Sequence, residues 1–205
     1  VYINLLMNLE KYLTNKFLTK ELNYLLIILS ISGIISYIYF RNIQYPNYFD
    51  RFTLHESIVN LSASYPYKHR LLVPFFSEYL MNLYGIVLPQ KLAFLGSYLT
   101  YSFFSIFLFL TTLYIWIRNF FRENYSIAGV LVIAVLMQIA LDDHYFQPWS
   151  LIDAFFFTLS FILIKQKNFP WLFLINLLAI LNRETGIFIS IAFATSSLYL
   201  TNKNH

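Results

Sequence analysis

Apolar positions in this chain fall into long unbroken runs, not into alternating or heptad patterns. Residues 22–40 form a stretch of 19 residues without a charge, enough to cross hydrocarbon at about 1.5 Å rise per residue. Further runs follow at 92–117, 126–141, 149–164, 169–181 and 186–200. Runs of this length and composition predict membrane-crossing helices. The fold expected is therefore all-α: a polytopic membrane helical bundle with about six spanning helices. Several runs are shorter than the roughly 20 residues that a free-standing span needs. Their polar ends are expected to dip into a protein-lined, water-filled cavity.

The interruptions set the organisation. Residues 1–21 place Leu5, Leu6, Leu9, Leu13 and Phe17 at helical spacing, punctuated by Lys11, Lys16 and Lys20. That pattern predicts a basic amphipathic segment on the cytoplasmic surface, followed by one transmembrane helical domain over 22–205. No small-x-small cleavage site follows "ISYIYF", so the first span reads as retained and not as a signal peptide. Residues 41–91 form a long outer first loop. Within it, 71–84 is apolar but short, and is interrupted by Pro74, Glu78 and Asn82. It is expected to be an interfacial helix with Pro74 in the first turn, where proline is tolerated.

Composition sharpens this picture. The chain is 59% hydrophobic and 12% charged, against about 25% charged in a soluble domain, so an integral membrane protein is expected. With Cys 0, disulfides, thiolate metal sites and thiol catalysis are excluded. The net charge of +4 is spread along the chain, which argues against nucleic acid as a partner.

Charge also orients the bundle. With six spans, eight of the basic residues (Lys11, Lys16, Lys20, Arg118, Arg122, Lys165, Lys167, Lys203) share the side of the N-terminus and six (Arg41, Arg51, Lys68, Arg70, Lys91, Arg183) lie opposite. The positive-inside rule then places both termini in the cytoplasm. Seven acids fall outside: Asp50, Glu56, Glu78, Asp142, Asp143, Asp153 and Glu184. The polar segments thus converge on one face, as a single site requires.

Four segments carry candidate chemistry. Asp50 in "YPNYFDRF" is a carboxylate that could serve as general base towards a hydroxyl, or a solvated loop acid. Lys68, His69 and Arg70 precede an apolar helix; lysine and arginine suit phosphate oxygens, and equally suit a basic flank anchoring that helix. Asp142, Asp143 and His144 supply hard oxygens and an imidazole compatible with a divalent metal ion, without a defined ligand spacing. No cofactor is otherwise indicated. Asp153 follows Ser150 at capping-box spacing, with Ser150 as N-cap and Asp153 at N3. Arg183 and Glu184 interrupt "LLAILNRETGIFISIAF", where a charge is a functional candidate by default or part of a polar turn between two helices. Neighbours on a helix diverge by about 100°, so each needs another partner: an acid of 142–153 or a phosphate for Arg183, and Arg70 or Lys68 for Glu184. No GxSxG, Walker A or HExxH pattern occurs, which leaves hydrolase, nucleotidase and zincin readings without support.

In order, Asp50, then Arg70-Leu71-Leu72-Val73-Pro74, then Asp153 in "LIDAFFFTLSFIL", then Arg183-Glu184-Thr185 resemble polytopic membrane glycosyltransferases of the GT-C type, as a short or partial member. The resemblance runs over about residues 22–200. It implies transfer of a sugar from a polyprenyl-phosphate donor at the extracytoplasmic face of a bacterial cell membrane. Asp50 and Asp153 would be the catalytic acids, with Asp50 as base. Lys68, Arg70, Arg183 and Glu184 would bind substrate, and Asp142, Asp143 and Asp153 would lie near the sugar or a metal. The alternative is a non-enzymatic membrane protein, a small transporter or an assembly subunit. A transporter is expected to show inverted repeats, and none is visible in the sequence.

Overall fold

The computed structural model describes the backbone of residues 2–142 and 148–202, and the side chains of 20–141 and 148–196. The described residues are helical throughout, with no strand among them. α1 (Tyr2–Tyr39) continues through a wide turn, Phe40–Gln44, and is followed by α2 (Tyr48–Val59), α3 (Leu72–Gly85), α4 (Gln90–Arg118), α5 (Glu123–Asp142), α6 (Trp149–Lys165), α7 (Phe169–Asn182) and α8 (Ile187–Asn202). α1 runs unbroken from Tyr2, so no turn separates residues 1–21 from the first apolar run.

Three stretches are long and apolar enough to cross a membrane: Lys20–Gln44, Gln90–Arg118 and Glu123–Leu141. α6, α7 and α8 have 17, 14 and 16 residues, below the roughly 20 needed by an untilted free span. Large apolar side chains point outward from these helices, among them Val135, Ile139, Phe173 and Phe188. Small hydroxyls are instead buried: Ser32, Ser36, Ser97, Ser102, Ser105 and Ser160. Ser32, Ser36, Ser102 and Ser160 return their hydrogen bond to the carbonyl one turn back. Small polar residues inside and bulky apolar ones outside are the arrangement helices adopt in lipid, where close backbone approach and hydrogen bonds hold helices together.

Side-chain pairs fix the chain directions. α1 and α4 are antiparallel: Glu21 meets Tyr114 and Arg118 at one end, and Gln44 donates to Ser102 Oγ at 2.7 Å further along. Arg118 and Lys20 also reach Glu123 at the start of α5, so four charges tie one end of the three long helices. α6 runs parallel to α4, from the Tyr101 hydroxyl on the Pro148 carbonyl (2.8 Å) to Trp116 against Phe161. α7 returns to the start of α6, where Asn182 reaches Trp149, and α8 packs back along α7 through Asn176–Ser190. Six helices therefore alternate in direction, with α2 and α3 inserted at the end opposite the Glu21–Arg118 cluster.

The 41–91 segment holds more helix than the sequence pattern indicates. α3 matches the expected 71–84 helix and has Pro74 in its first turn. It packs antiparallel to the first half of α4, with Tyr84 bonded to Thr100 at 2.9 Å and Phe76 against Tyr101. α2 was not expected. Its buried face consists of Tyr48, Arg51, His55 and Ile58, a helical spacing in which two of four positions are cationic or polar, so an apolar-period search passes over it.

Candidate functional site

The segments singled out in the sequence meet where α3 begins, α6 begins and α7 ends. The Leu71 amide donates to the Leu181 carbonyl at 3.1 Å, which brings Arg70 beside the 182–186 turn. Arg70 is 5% exposed. Its guanidinium grips Glu184 as a fork, Nη2 to Oε1 at 2.6 Å and Nε to Oε2 at 3.3 Å. It also lies over the rings of Trp149 (4.9 Å) and Tyr67 (5.5 Å). Planar charge, bidentate geometry and ring stacking are properties of arginine that lysine lacks. Glu184, in the turn between α7 and α8, is held below its ordinary carboxyl pKa, first by this hydrogen bond to Arg70.

Asp153 is the second centre. One oxygen accepts from the Asn182 amide and the other from the Thr185 hydroxyl at 3.2 Å. Arg183 stands 3.9 Å from the same carboxylate and donates to Ser150 Oγ at 3.2 Å. The capping box expected here does not form. α6 starts at Trp149, with Pro148 as its N-cap and no side-chain cap bond. Pro148 already has helical dihedrals (φ −61, ψ −28), so the helix begins two residues before the predicted N1. Ser150 then lies inside the first turn facing Arg183, and Asp153 lies one turn deep facing α7. Asn182, 1% exposed, donates to both the Trp149 carbonyl and Asp153.

The backbone makes this junction possible. Arg183 is extended (φ −161, ψ 148), ending α7, and a single tight turn, Glu184–Gly186, leads into α8. A β-carbon on Gly186 would lie 2.5 Å from the backbone of Ala179 and Ile180. Backbone atoms cannot rotate away, so Gly186→Ala is expected to cost about 1–3 kcal/mol as an overpacking defect. Thermal unfolding in detergent checks this, and a melting temperature equal to wild type would show that the turn is not tightly docked.

The other candidates lie apart from these contacts. Asp50 is exposed in the first turn of α2, and its carboxylate has no hydrogen bond or ion pair among the described residues. Lys68 is exposed on the Tyr67–His69 turn. Asp143 and His144 lie outside the described residues, and of Asp142 only the backbone, at the end of α5, is described. Among the described residues, no group of three metal-ligating side chains occurs.

A second polar cluster was missed in the sequence. His55 Nε2 is 2.8 Å from Glu78, and its Nδ1 is 3.0 Å from the Tyr98 hydroxyl. A carboxylate only accepts, so Nε2 carries the hydrogen, and in the neutral ring Nδ1 accepts from Tyr98. Arg51, 4% exposed, lies over the rings of Tyr39 and Tyr98. The four-residue spacing of Arg51 and His55 was the signal that could have found this cluster. Beside both networks, α3, α4 and α6 enclose an apolar groove of about 190 Å³, with Leu72, Phe76, Tyr101, Leu108 and Phe156 in its walls.

No family model, no curated protein and no solved structure matches this chain.

Proposed function

We propose that this chain is a membrane glycosyltransferase-like protein that takes a sugar from a polyprenyl-phosphate donor at the extracytoplasmic face, with both termini cytoplasmic. The observation that carries the reading is the union of two surfaces. A cationic and carboxylate network (Arg70, Asp153, Arg183, Glu184) sits directly beside an apolar groove lined by Leu72 and Phe156. A lipid phosphate needs both, cations for its head and an apolar channel for its tail. The Arg183 side chain is partly exposed and donates to Ser150, so its guanidinium keeps further N–H groups for a phosphate oxygen. Asp50 is an uncommitted carboxylate on the same end of the bundle. In the reaction, Asp50 removes the proton of the acceptor hydroxyl as its oxygen bonds to the anomeric carbon. The bond from that carbon to the phosphate oxygen breaks, and polyprenyl phosphate leaves with the electron pair, its charge held by Arg183.

The test is transfer of a radiolabelled sugar from polyprenyl phosphate by the reconstituted chain. Arg183→Lys keeps the charge but loses the planar fork, and is expected to lower transfer at least tenfold while the protein still inserts. Unchanged transfer with Arg183→Lys and with Arg183→Gln would leave the turn as a solvated connector. Orientation is checked separately by single cysteines in this cysteine-free chain. Both Ser64 and Gln166 are exposed, at opposite ends of the bundle. Ser64→Cys is expected to label from outside and Gln166→Cys only after permeabilisation; the reverse pattern overturns the orientation.

One observation favours a second reading, a non-enzymatic assembly subunit. Arg70 and Asp153 spend their strongest hydrogen bonds on Glu184, Asn182 and Thr185, as a staple between helices requires. That reading predicts loss of stability without any donor binding when the network is cut.

A further inference from the structure

The helices share a level at one end of the bundle and differ in reach at the other. At the charged end Glu21, Arg118 and Glu123 join α1, α4 and α5, and Lys165, the last residue of α6, lies over the Phe120 ring just past α4. From that level the uncharged run 22–40 of α1 rises about 28 Å at roughly 1.5 Å per residue, and the Glu123–Leu141 span rises equally far. α7 is shorter. Its apolar run 169–181 lies between the exposed Lys167 and the 182–184 turn and rises only about 20 Å. Its far end is pinned, since Asn182 donates to the Trp149 carbonyl at the entry of α6. α8, with 16 residues, reaches little further. Hydrocarbon about 30 Å thick thus fits the α1–α5 side and exceeds the α7–α8 side by about 10 Å.

Tilt only shortens the reach of a helix across the bilayer, so it widens that gap. At the charged end Lys165 and Lys167 are exposed and can extend towards headgroups. At the other end no charge is free to do so: Glu184 is gripped by Arg70, and Arg183 leans on Ser150 and Asp153. A second protein is a poor fit, because close helix association in lipid uses small residues. Over 171–181 every exposed side chain of α7 is bulky and apolar: Trp171, Phe173, Leu174, Leu177, Ile180 and Leu181. Between α7 and α8 lies a groove of about 400 Å³, walled by Phe169, Leu172, Phe173, Ile189 and Phe193. Its two polar side chains, Asn176 and Ser190, bond each other at 2.7 Å, so an acyl chain can fill it.

We propose that the α7–α8 side is a lipid-facing surface that draws in phospholipids with short acyl chains and thins the bilayer beside it to about 20 Å. The headgroup layer there descends to the level of Asn182 and Arg183 instead of leaving them beneath hydrocarbon. This surface needs the helices to cross the membrane but needs no sugar lipid, so it stands or falls apart from the glycosyl-transfer reading.

The experiment reconstitutes the full chain in phosphatidylcholine vesicles and measures quenching of tryptophan by lipids brominated on the acyl chain. Fourteen-, eighteen- and twenty-two-carbon lipids each compete with unbrominated eighteen-carbon lipid. Trp171 is the reporter: it is exposed on α7, Trp149 is buried out of contact with lipid, and Trp116→Phe removes the third tryptophan. Fourteen-carbon lipid is expected to be preferred at Trp171 by about threefold, in keeping with the modest cost of mismatch. A tryptophan on the longer side, Val135→Trp on α5 in a Trp116→Phe, Trp171→Phe chain, should show no such preference. If Trp116→Phe does not fold, wild type read against Trp171→Phe gives the same difference. Equal binding at all three lengths, or a preference for the longer chains, would overturn the proposal. An equal short-chain preference at residue 135 would overturn it too, by making the whole bundle thin. So would an unquenched Trp171, which would put protein or water against α7.

Discussion

Asp50→Asn is expected to abolish sugar transfer, by about 10² to 10⁴ in rate, while the protein remains folded and inserted. The amide preserves the size of the carboxylate but cannot take a proton from the acceptor. Folding should be indifferent, because Asp50 is exposed in the first turn of α2 and its carboxylate makes no hydrogen bond or ion pair among the described residues. In the proposed reaction that exposure leaves its carboxylate, unpaired among the described residues, reachable by a hydroxyl. Asp153 is the rival, but its two oxygens already accept from Asn182 and Thr185. Turnover and melting temperature measured together separate the two. Normal turnover in Asp50→Asn, with a stable but inactive Asp153→Asn, would reverse the assignment.

Asp153→Ala is expected to destabilise the protein by about 3 kcal/mol, well beyond the roughly 1 kcal/mol of a lost helix cap. The carboxylate is 8% exposed and is the acceptor around which the α6–α7 junction is built. Without it the Thr185 hydroxyl loses its acceptor, the buried Asn182 amide keeps only the Trp149 carbonyl, and Arg183 loses its neighbouring negative charge. Donors stranded in a buried junction cost their desolvation penalty. Asp153→Asn should fall between wild type and alanine, because one carbonyl oxygen still accepts from Asn182. Thermal unfolding of the three proteins checks the order; an alanine variant within about 1 kcal/mol of wild type would mean that Asp153 is not central to the junction.

Much of this architecture was legible because it depends on uninterrupted apolar length. Each of the six apolar runs is a helix, and Pro74 marks the first turn of α3 as its restricted backbone predicts. Sequence spacing could also name the partner set for Glu184, since adjacent charges on a helix cannot face one another, and Arg70 was one of two cations available. Other features resisted. The Ser150–Asp153 spacing imitates a capping box, but the helix starts earlier because Pro148 adopts helical dihedrals, its carbonyl accepting from the Tyr101 hydroxyl of a helix distant in sequence. α2 stayed hidden because its inward face is built from Arg51 and His55, and buried polar residues cancel the apolar period that reveals a helix. The cluster of His55, Glu78 and Tyr98 comes from three different helices, so the Arg51–His55 spacing marks one wall of it and no linear spacing encodes its partners. How many of the shorter helices cross the bilayer depends on tilt and local thickness, which the apolar runs leave open; three are long enough by themselves.

The central claim is that the chain uses a polyprenyl-phosphate sugar, and donor binding by the wild-type protein in nanodiscs addresses it most directly. A labelled polyprenyl-phosphate sugar should bind saturably, be displaced by unlabelled polyprenyl phosphate and resist displacement by the corresponding polyprenol, because in the proposed mode the phosphate would meet Arg183 while the tail alone would have only the apolar groove. Absence of saturable binding, or equal displacement by the polyprenol, would contradict the account and leave the Arg70–Glu184 and Asp153–Asn182 contacts as a staple within an assembly subunit.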